Sequence, residues 1–160
     1  MATEKIKFKL ELYSTFWRKA PHANIMINEK SYFDGDISSK EQMPTVVEFE
    51  HELEGDKDYK LIIERSGKNV IDTRVDAEGK IYRDQLLHIK AIEIDEIDIG
   101  ALVYDGVYMP KYPEPWATQQ IEKGVNLPSS FKNVKDLGHN GTWTFNFSSP
   151  FYMWLLENLY

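Results

Sequence analysis

Aspartate and glutamate residues gather in several short turns of the sequence, and oxygen ligands of this kind are what calcium requires. The clusters are Asp34 and Asp36, Asp72 and Asp76, Asp84, and Asp95, Glu96 and Asp98. Their spacing departs from the EF-hand pattern, so a calcium site would have to combine carboxylates from separate turns. Aspartate also favours turns for local conformational reasons, and solvated turn residues are therefore the alternative interpretation.

Four aromatic residues recur at every fourth position in the second half of the chain. They are Tyr104, Tyr108, Tyr112 and Trp116. This spacing is typical of one face of a helix, but Gly106 and the prolines at 110, 113 and 115 break a helix. We therefore expect an ordered loop that lies on the rest of the fold. Its rings either fill a second small core, or stack on sugar rings, or anchor a protein partner.

Motifs for catalysis and cofactor binding are missing from the sequence. It contains no GxGxxG loop, no Walker loop, no GxSxG and no HExxH, and its four histidines are widely spaced. Cysteine is absent, which excludes disulfides, thiolate metal sites and a cysteine nucleophile. We therefore expect a non-catalytic protein. A glycosidase pair of facing carboxylates remains an open alternative, because the sequence does not show which acids face each other.

Composition and charge narrow the classes of partner. The 160 residues include 19 lysines and arginines against 26 aspartates and glutamates, which gives a formal net charge of −7. This balance argues against duplex nucleic acid or an anionic membrane as main partner, because both need a basic face. No apolar run approaches the ~18 residues of a membrane span. We see no signal peptide before the first strand pattern, so we expect synthesis in the cytoplasm.

Alternation of apolar and polar residues predicts the elements that position these groups. From Lys5 to Leu12 every second residue is apolar, which is typical of a half-buried strand. Similar segments recur up to residue 100 at a spacing of about ten residues, and this favours an antiparallel β-sandwich. The other predicted strands are 23–28, 45–53, 59–64, 70–75, 79–82, 86–94 and 141–147, with turns at 28–31 and 34–36.

The C-terminal residues predict a short helix. Ser149 suits the N-cap and Pro150 the first helical position, and the residues from Phe151 to Leu159 are almost wholly apolar. Such a helix either closes the sandwich or docks onto a second subunit of a homo-oligomer. The side chains expected in that contact are Phe151, Trp154, Leu155 and Leu159. We expect one domain over 1–160, with a sandwich core in 1–100 and a loop-rich extension in 101–160 whose final strand and helix pack on that core.

An ordered set of motifs runs from residue 23 to residue 100. It comprises Ile25-Met26-Ile27-Asn28, Phe49 to Gly55, Lys60 to Glu64, and Asp84-Gln85-Leu86-Leu87 running on to Asp95. In type and order these motifs resemble those of the calcium-dependent xylan-binding carbohydrate-binding modules, although Gln85 stands where the family motif has arginine. The resemblance implies an all-β fold, an antiparallel jelly-roll-like β-sandwich, and carbohydrate as the partner.

The same resemblance implies a site. The family's calcium ligand falls on Asp84, and Asp72 and Asp95 are further candidate metal ligands. In this hypothesis calcium bridges two sugar hydroxyls, while aromatic rings stack on the apolar faces of the sugars. The candidate stacking residues are Trp17, Tyr104, Tyr108, Tyr112 and Trp116, and the polar residues expected to orient hydroxyls are Asn24, Asn28 and Asp84.

The C-terminal residues carry a second resemblance. The segments Gly141 to Phe145, Ser149 to Tyr152, and Trp154 to Asn158 resemble the ends of uncharacterised proteins of tailed marine phages. This implies a phage source and a structural protein of the virion. The sandwich would then be a scaffold, and the apolar C-terminus would be a contact between subunits. A carbohydrate-binding module is the leading hypothesis, and an assembly protein of this kind is the alternative.

Overall fold

The computed structural model describes residues 3–100 and 106–158. The strands in these ranges are β1 (Thr3–Thr15), β2 (His22–Ile27), β3 (Lys30–Asp36), β4 (Thr45–Glu54), β5 (Asp58–Ser66), β6 (Arg74–Val75), β7 (Ile81–Arg83), β8 (Leu86–Ile94), β9 (Ile97–Asp98), β10 (Val107–Pro110), β11 (Asp136–Leu137) and β12 (Gly141–Ser148). The helices are α1 (Trp116–Glu122) and α2 (Phe151–Asn158), with a 3₁₀ turn at Val70–Asp72. None of these helices has the length and apolar character that crossing a membrane requires.

Two antiparallel sheets of five strands form an all-β sandwich of the jelly-roll type. The first has the order β11-β8-β1-β4 with β9 beside β8, and the second has the order β10-β12-β5-β2-β3. A small hairpin of β6 and β7 stands apart from both sheets. Apolar side chains from the two sheets pack into one core. The fold class expected from the alternation and from the resemblance is confirmed.

Strand β1 shows how the alternation builds this core. Ile6, Phe8, Leu10 and Leu12 are at most 2% exposed, while the polar residues between them face outward. The ring of Phe8 stacks on Phe49 with ring centroids 5.2 Å apart. It also contacts Phe147 of the opposite sheet at 5.9 Å, and this contact joins the two layers.

The C-terminal third of the chain contributes a strand to the sandwich and a helix that packs against it. Strand β12 lies between β10 and β5, and its rings Trp143, Phe145 and Phe147 are at most 1% exposed. Helix α2 closes this end of the core with Phe151 and Leu155. This part of the chain therefore contributes to the core, because β12 is an inner strand of the second sheet.

Several segments differ from the sequence-based prediction, and three of them are strand or turn assignments. Residues 34–36, expected as a turn, belong to β3, because they pair with the first three residues of β2. Residues 107–110, expected as a loop, form β10, since β12 supplies their hydrogen-bonding partner. Residues 70–72, expected as a strand, form a 3₁₀ turn that Asp72 stabilises by accepting a hydrogen bond from the Asn69 amide at 2.7 Å.

A buried arginine joins these parts at one end of the sandwich. Arg65, near the end of β5, is 1% exposed. Its guanidinium donates hydrogen bonds to the Leu137 carbonyl at 3.2 Å, to Asn140 Oδ1 at 3.0 Å and to the Gln85 carbonyl at 2.7 Å. Burial lowers the pKa of Arg65 to about 10, against the opposing influence of Tyr108, Asp84 and Asp72, and at this pKa the guanidinium is still a cation at neutral pH.

Replacing Arg65 with lysine tests this role. Lysine keeps the charge but has no planar fork, so it cannot reach three acceptors in separate segments. We expect Arg65→Lys to lower the free energy of unfolding by about 2–4 kcal/mol, because buried acceptors lose their donors. Urea unfolding measures the loss. The control is Arg74→Lys, an exposed position, where the change should stay within about 0.5 kcal/mol. Equal effects of the two substitutions would contradict this account of Arg65.

Candidate functional site

A cleft of about 210 Å³ opens at the end of the sandwich where β5 and β10 finish and β8 and β12 begin. Four connections meet there, because the strands that carry them end at the same edge of the two sheets. The residues that line the cleft are Lys68, Asn69, Val70, Thr73, Ile81, Asp84, Lys111, Pro113, Trp116, Gly138, His139 and Asn140. Seven of these twelve residues are polar or charged, but most of the surface that they expose to the cleft is apolar. An apolar surface with a few placed polar groups is typical of small-molecule sites.

Aromatic rings form one wall of the cleft. Trp116 is half-buried at the first position of α1, and its ring centroid lies 5.7 Å from that of His139. Tyr112 does not line the cleft itself but lies behind this wall, where it meets His139 edge-on at 5.0 Å and donates a hydrogen bond to the Pro128 carbonyl at 2.6 Å. Burial, with a contribution from nearby Lys68, lowers the pKa of His139, so its imidazole is neutral at pH 7. This wall offers an uncharged aromatic surface.

Tyr108 supports this wall from below. It is 3% exposed, so its ring faces the core and offers no surface for a sugar. Its hydroxyl donates a hydrogen bond to the His139 carbonyl, and the His139 amide donates back to that hydroxyl at 2.9 Å. Burial raises the pKa of Tyr108 to about 12, so this hydroxyl stays protonated at neutral pH. Tyr104, the first residue of the predicted series, lies outside the described residues.

A lysine and an aspartate form a polar wall of the cleft. Lys68 Nζ lies 2.7 Å from Asp84 Oδ1 and donates to the Gly138 carbonyl at 2.5 Å. Asp84 Oδ1 also accepts from Thr73 Oγ1 at 2.7 Å and from the Gln85 amide at 2.8 Å. Burial favours a higher pKa for Asp84, but these hydrogen bonds outweigh burial and lower it. The Asp84 carboxylate is therefore ionised at neutral pH.

One carboxylate oxygen in this wall remains available. No described residue donates a hydrogen bond to Asp84 Oδ2, and the side chain is 20% exposed where it borders the cleft. Asn140 fixes the backbone beside it, since its Oδ1 accepts from the Lys68 amide at 2.9 Å and its Nδ2 donates to the Lys68 carbonyl at 3.0 Å. The cleft thus combines an aromatic face with a fixed hydrogen-bond acceptor.

Two other candidate residues lie beside the cleft and are already engaged. Asp72 is 1% exposed, and Arg18 Nε donates to its Oδ1 at 3.0 Å. Trp17 donates its indole N–H to the Asp72 carbonyl at 2.8 Å. The guanidinium groups of Arg83 and Arg74 lie 4.9 Å and 5.6 Å from the centroid of the Trp17 ring. Trp17 is therefore already in contact with two cations.

The remaining candidates lie away from the cleft. Asp95 follows the far end of β8, about 30 Å from Asp84 by the rise of nine strand residues. Asn28 adopts a positive φ of 52° in the turn after β2 and accepts a hydrogen bond from the Lys60 amide at 2.8 Å. Asn24 accepts from Ser31 Oγ at 2.6 Å. These side chains hold local structure and do not share a site with Asp84.

The surroundings of Asp84 do not fit a calcium ion. Calcium takes six to eight oxygen ligands, whereas here the Lys68 ammonium lies against Asp84 Oδ1 at 2.7 Å. The second nearby carboxylate, Asp72, is paired with Arg18, and the Arg65 cation lies close to both. Within residues 3–100 and 106–158, no group of three or more histidine, aspartate or glutamate side chains is arranged to hold a metal.

Of the candidate residues named from the sequence, Asp84 and Trp116 line the cleft, while Lys68 and His139, which also line it, were not named as candidates. Lys68 lies 16 residues before Asp84, and His139 comes from a segment without a clear period. A signal for Arg65 was present in the sequence. Arg65 continues the series of inward-facing residues Tyr59, Leu61 and Ile63, which occupy every second position of β5. The alternation therefore predicts that its side chain points into the core.

Comparison with known proteins gives matches of structure and none of sequence. No protein-family model matches the chain, and no curated protein matches it. The fold is similar to that of vCBM60, a calcium-dependent carbohydrate-binding module, in its selenomethionine form, with a TM-score of 0.50 and 6% identity over 88% of this chain and 89% of that one. A structure of vCBM60 in complex with galactobiose matches with a TM-score of 0.47 and 9% identity, over 88% of this chain and 98% of that one. The first similarity is one of fold, and it confirms the sandwich that the resemblance between residues 23 and 100 implies.

Proposed function

We propose that this chain is a non-catalytic carbohydrate-binding module whose ligand occupies the cleft between Trp116 and Asp84. The observation that carries the proposal is the pairing, within about 210 Å³, of a half-buried aromatic ring with a fixed acceptor oxygen. A sugar ring has apolar faces that suit an aromatic surface and hydroxyls that need acceptors. The space suits one sugar ring better than a larger ligand.

The charge and rigidity of the cleft favour binding over hydrolysis. Glycoside hydrolysis uses two carboxyl groups on either side of the scissile bond. Among the described residues that line the cleft, Asp84 is the one carboxylate, and Lys68 holds it ionised in a hydrogen-bond network. A carboxylate in this setting can accept hydrogen bonds from hydroxyls but is a poor proton donor. We assign Asp84 the role of orienting the sugar.

A carbohydrate-binding test centres on Trp116. We expect Trp116→Ala to weaken the binding of the best oligosaccharide from a glycan array by about thirtyfold in Kd, since removing a central tryptophan contact costs about 2 kcal/mol. Titration calorimetry measures the change, and far-UV circular dichroism checks that the variant folds. The control is Tyr152→Ala, an exposed aromatic in α2 at the other end of the sandwich. Binding that survives Trp116→Ala but is lost in Tyr152→Ala would contradict the assignment of the cleft.

Calcium assistance at Asp84 stays a prediction from the resemblance, and the ammonium of Lys68 opposes it. We expect thermal unfolding at the same temperature in EDTA, in millimolar calcium and in millimolar magnesium. A bound ion at ~100 times its Kd would add ~2.7 kcal/mol to the free energy of unfolding and raise Tm by several degrees. A rise specific to calcium that disappears in Asp84→Asn would restore calcium to the site and contradict our reading of Lys68.

The second candidate function is assembly, as a structural protein of a virion. The exposed side of α2 favours it, because Tyr152, Met153 and Leu156 are 46%, 60% and 64% exposed in neighbouring turns. The opposite side of the helix packs inward, with Trp154 contacting Phe145 at 5.6 Å. An apolar patch on a surface helix often marks a contact with another protein.

Charged substitutions on the exposed side test assembly without disturbing the core. We expect the pair Met153→Glu and Leu156→Glu to convert any oligomer to monomer while leaving the thermal unfolding temperature of the monomer unchanged. Light scattering after size exclusion, over a range of protein concentrations, measures the mass. A wild-type chain that is monomeric at every concentration, or an oligomer that both substitutions leave intact, would remove this function for α2.

A further inference from the structure

The cleft contains a lysine for which the described residues supply no acidic partner. Lys111 follows β10 and is exposed, and its amide donates to the Asn140 carbonyl at 2.6 Å, so its backbone is held beside the start of β12. No carboxylate of the described residues lies within ion-pair distance of Lys111. Its ammonium is therefore available at the mouth of the cleft.

The other charges of the cleft cancel each other. Lys68 and Asp84 form an ion pair 2.7 Å apart, and both side chains are mostly buried. The imidazole of His139 is neutral at pH 7, for the reason given above. Lys111 consequently sets the net charge that a ligand meets, which is positive although the whole chain carries −7.

Several lysines elsewhere on the surface are paired with glutamates. Lys5, Lys7, Lys9 and Lys57 all lie within 4 Å of a glutamate. The hairpin that supplies Ile81 to the cleft adds two more cations, Arg74 and Arg83, which lie over the Trp17 ring and have no carboxylate partner among the described residues. The rim of the cleft on this side is thus cationic as well.

We propose that the cleft selects an acidic sugar, one that carries a carboxylate or a sulfate group, and that Lys111 pairs with this group. The inference rests on the proposed function, because it names the class of carbohydrate for the same site. An ammonium attracts either anion as a point charge, and charge-assisted hydrogen bonds are about twice as strong as neutral ones. The sugar ring then lies against Trp116, and a hydroxyl donates to Asp84.

Matched pairs of oligosaccharides test the inference by titration calorimetry. One pair is an oligogalacturonate and its fully methyl-esterified form, and the other is a sulfated galactan oligosaccharide and its desulfated form. We expect the acidic member of at least one pair to bind about tenfold tighter, and the pair that shows the preference identifies the group. Raising sodium chloride from 50 mM to 500 mM should reduce this preference, because salt screens an exposed charge pair.

Three variants assign the preference to its residue. Lys111→Met should remove most of the tenfold preference, and Lys111→Arg should keep most of it, because the charge remains. Lys60→Met is the matched control, since Lys60 is an exposed lysine toward the other end of β5. A preference that Lys111→Met leaves intact would overturn the role of Lys111.

The outcomes separate this inference from the proposed function. Equal binding of both members of each pair, with loss in Trp116→Ala, would keep the carbohydrate-binding function and overturn the selection of acidic sugars. Absence of binding to all four oligosaccharides and to a wider array of neutral glycans would overturn the proposed function and the inference together. Binding of a neutral glycan alone would overturn the inference and leave the function.

Discussion

The buried guanidinium of Arg65 is the interaction on which the functional end of the sandwich depends. A cation with 1% exposure is costly unless hydrogen bonds and nearby charges compensate it. Its acceptors come from residues 85, 137 and 140, so satisfying this one group fixes the approach to β8 and the segment before β12. Asn140 in turn accepts a hydrogen bond from the Lys68 amide and so fixes the Lys68 backbone. The Tyr108 hydroxyl accepts a hydrogen bond from the amide of the neighbouring His139.

Charge balance explains the chemistry that this end of the fold supports. Two carboxylates, Asp72 and Asp84, lie among three cations, Arg18, Arg65 and Lys68. A fixed ammonium beside Asp84 does internally what a bound cation does in a metal site, because it keeps a buried carboxylate ionised. The fold shared with a calcium-dependent module is therefore compatible with a site that has its own permanent cation.

How far the sequence predicts this structure depends on how local the determining interaction is. Alternation identified β1, β4, β5, β8 and β12, since a strand with one buried face shows its period directly. The positions of the aromatic series were harder to predict, because its members lie in different environments. Tyr108 is buried in the core, whereas Trp116 is the first residue of α1 and lines the cleft. Lys68 and His139 escaped sequence reasoning, because their role arises from contacts between segments about 70 residues apart.

The most direct test of the account is a ¹H–¹⁵N correlation spectrum recorded in EDTA while an oligosaccharide identified by the glycan array is added. We predict that the largest shift changes occur at the Trp116 indole N–H and at the amides of Gly138, His139 and Asn140, without added metal. Shift changes confined to the β2–β3 turn around Asn28 or to α2, or changes that appear only after calcium is restored, would contradict the claim that a metal-free cleft at the Arg65 end binds carbohydrate.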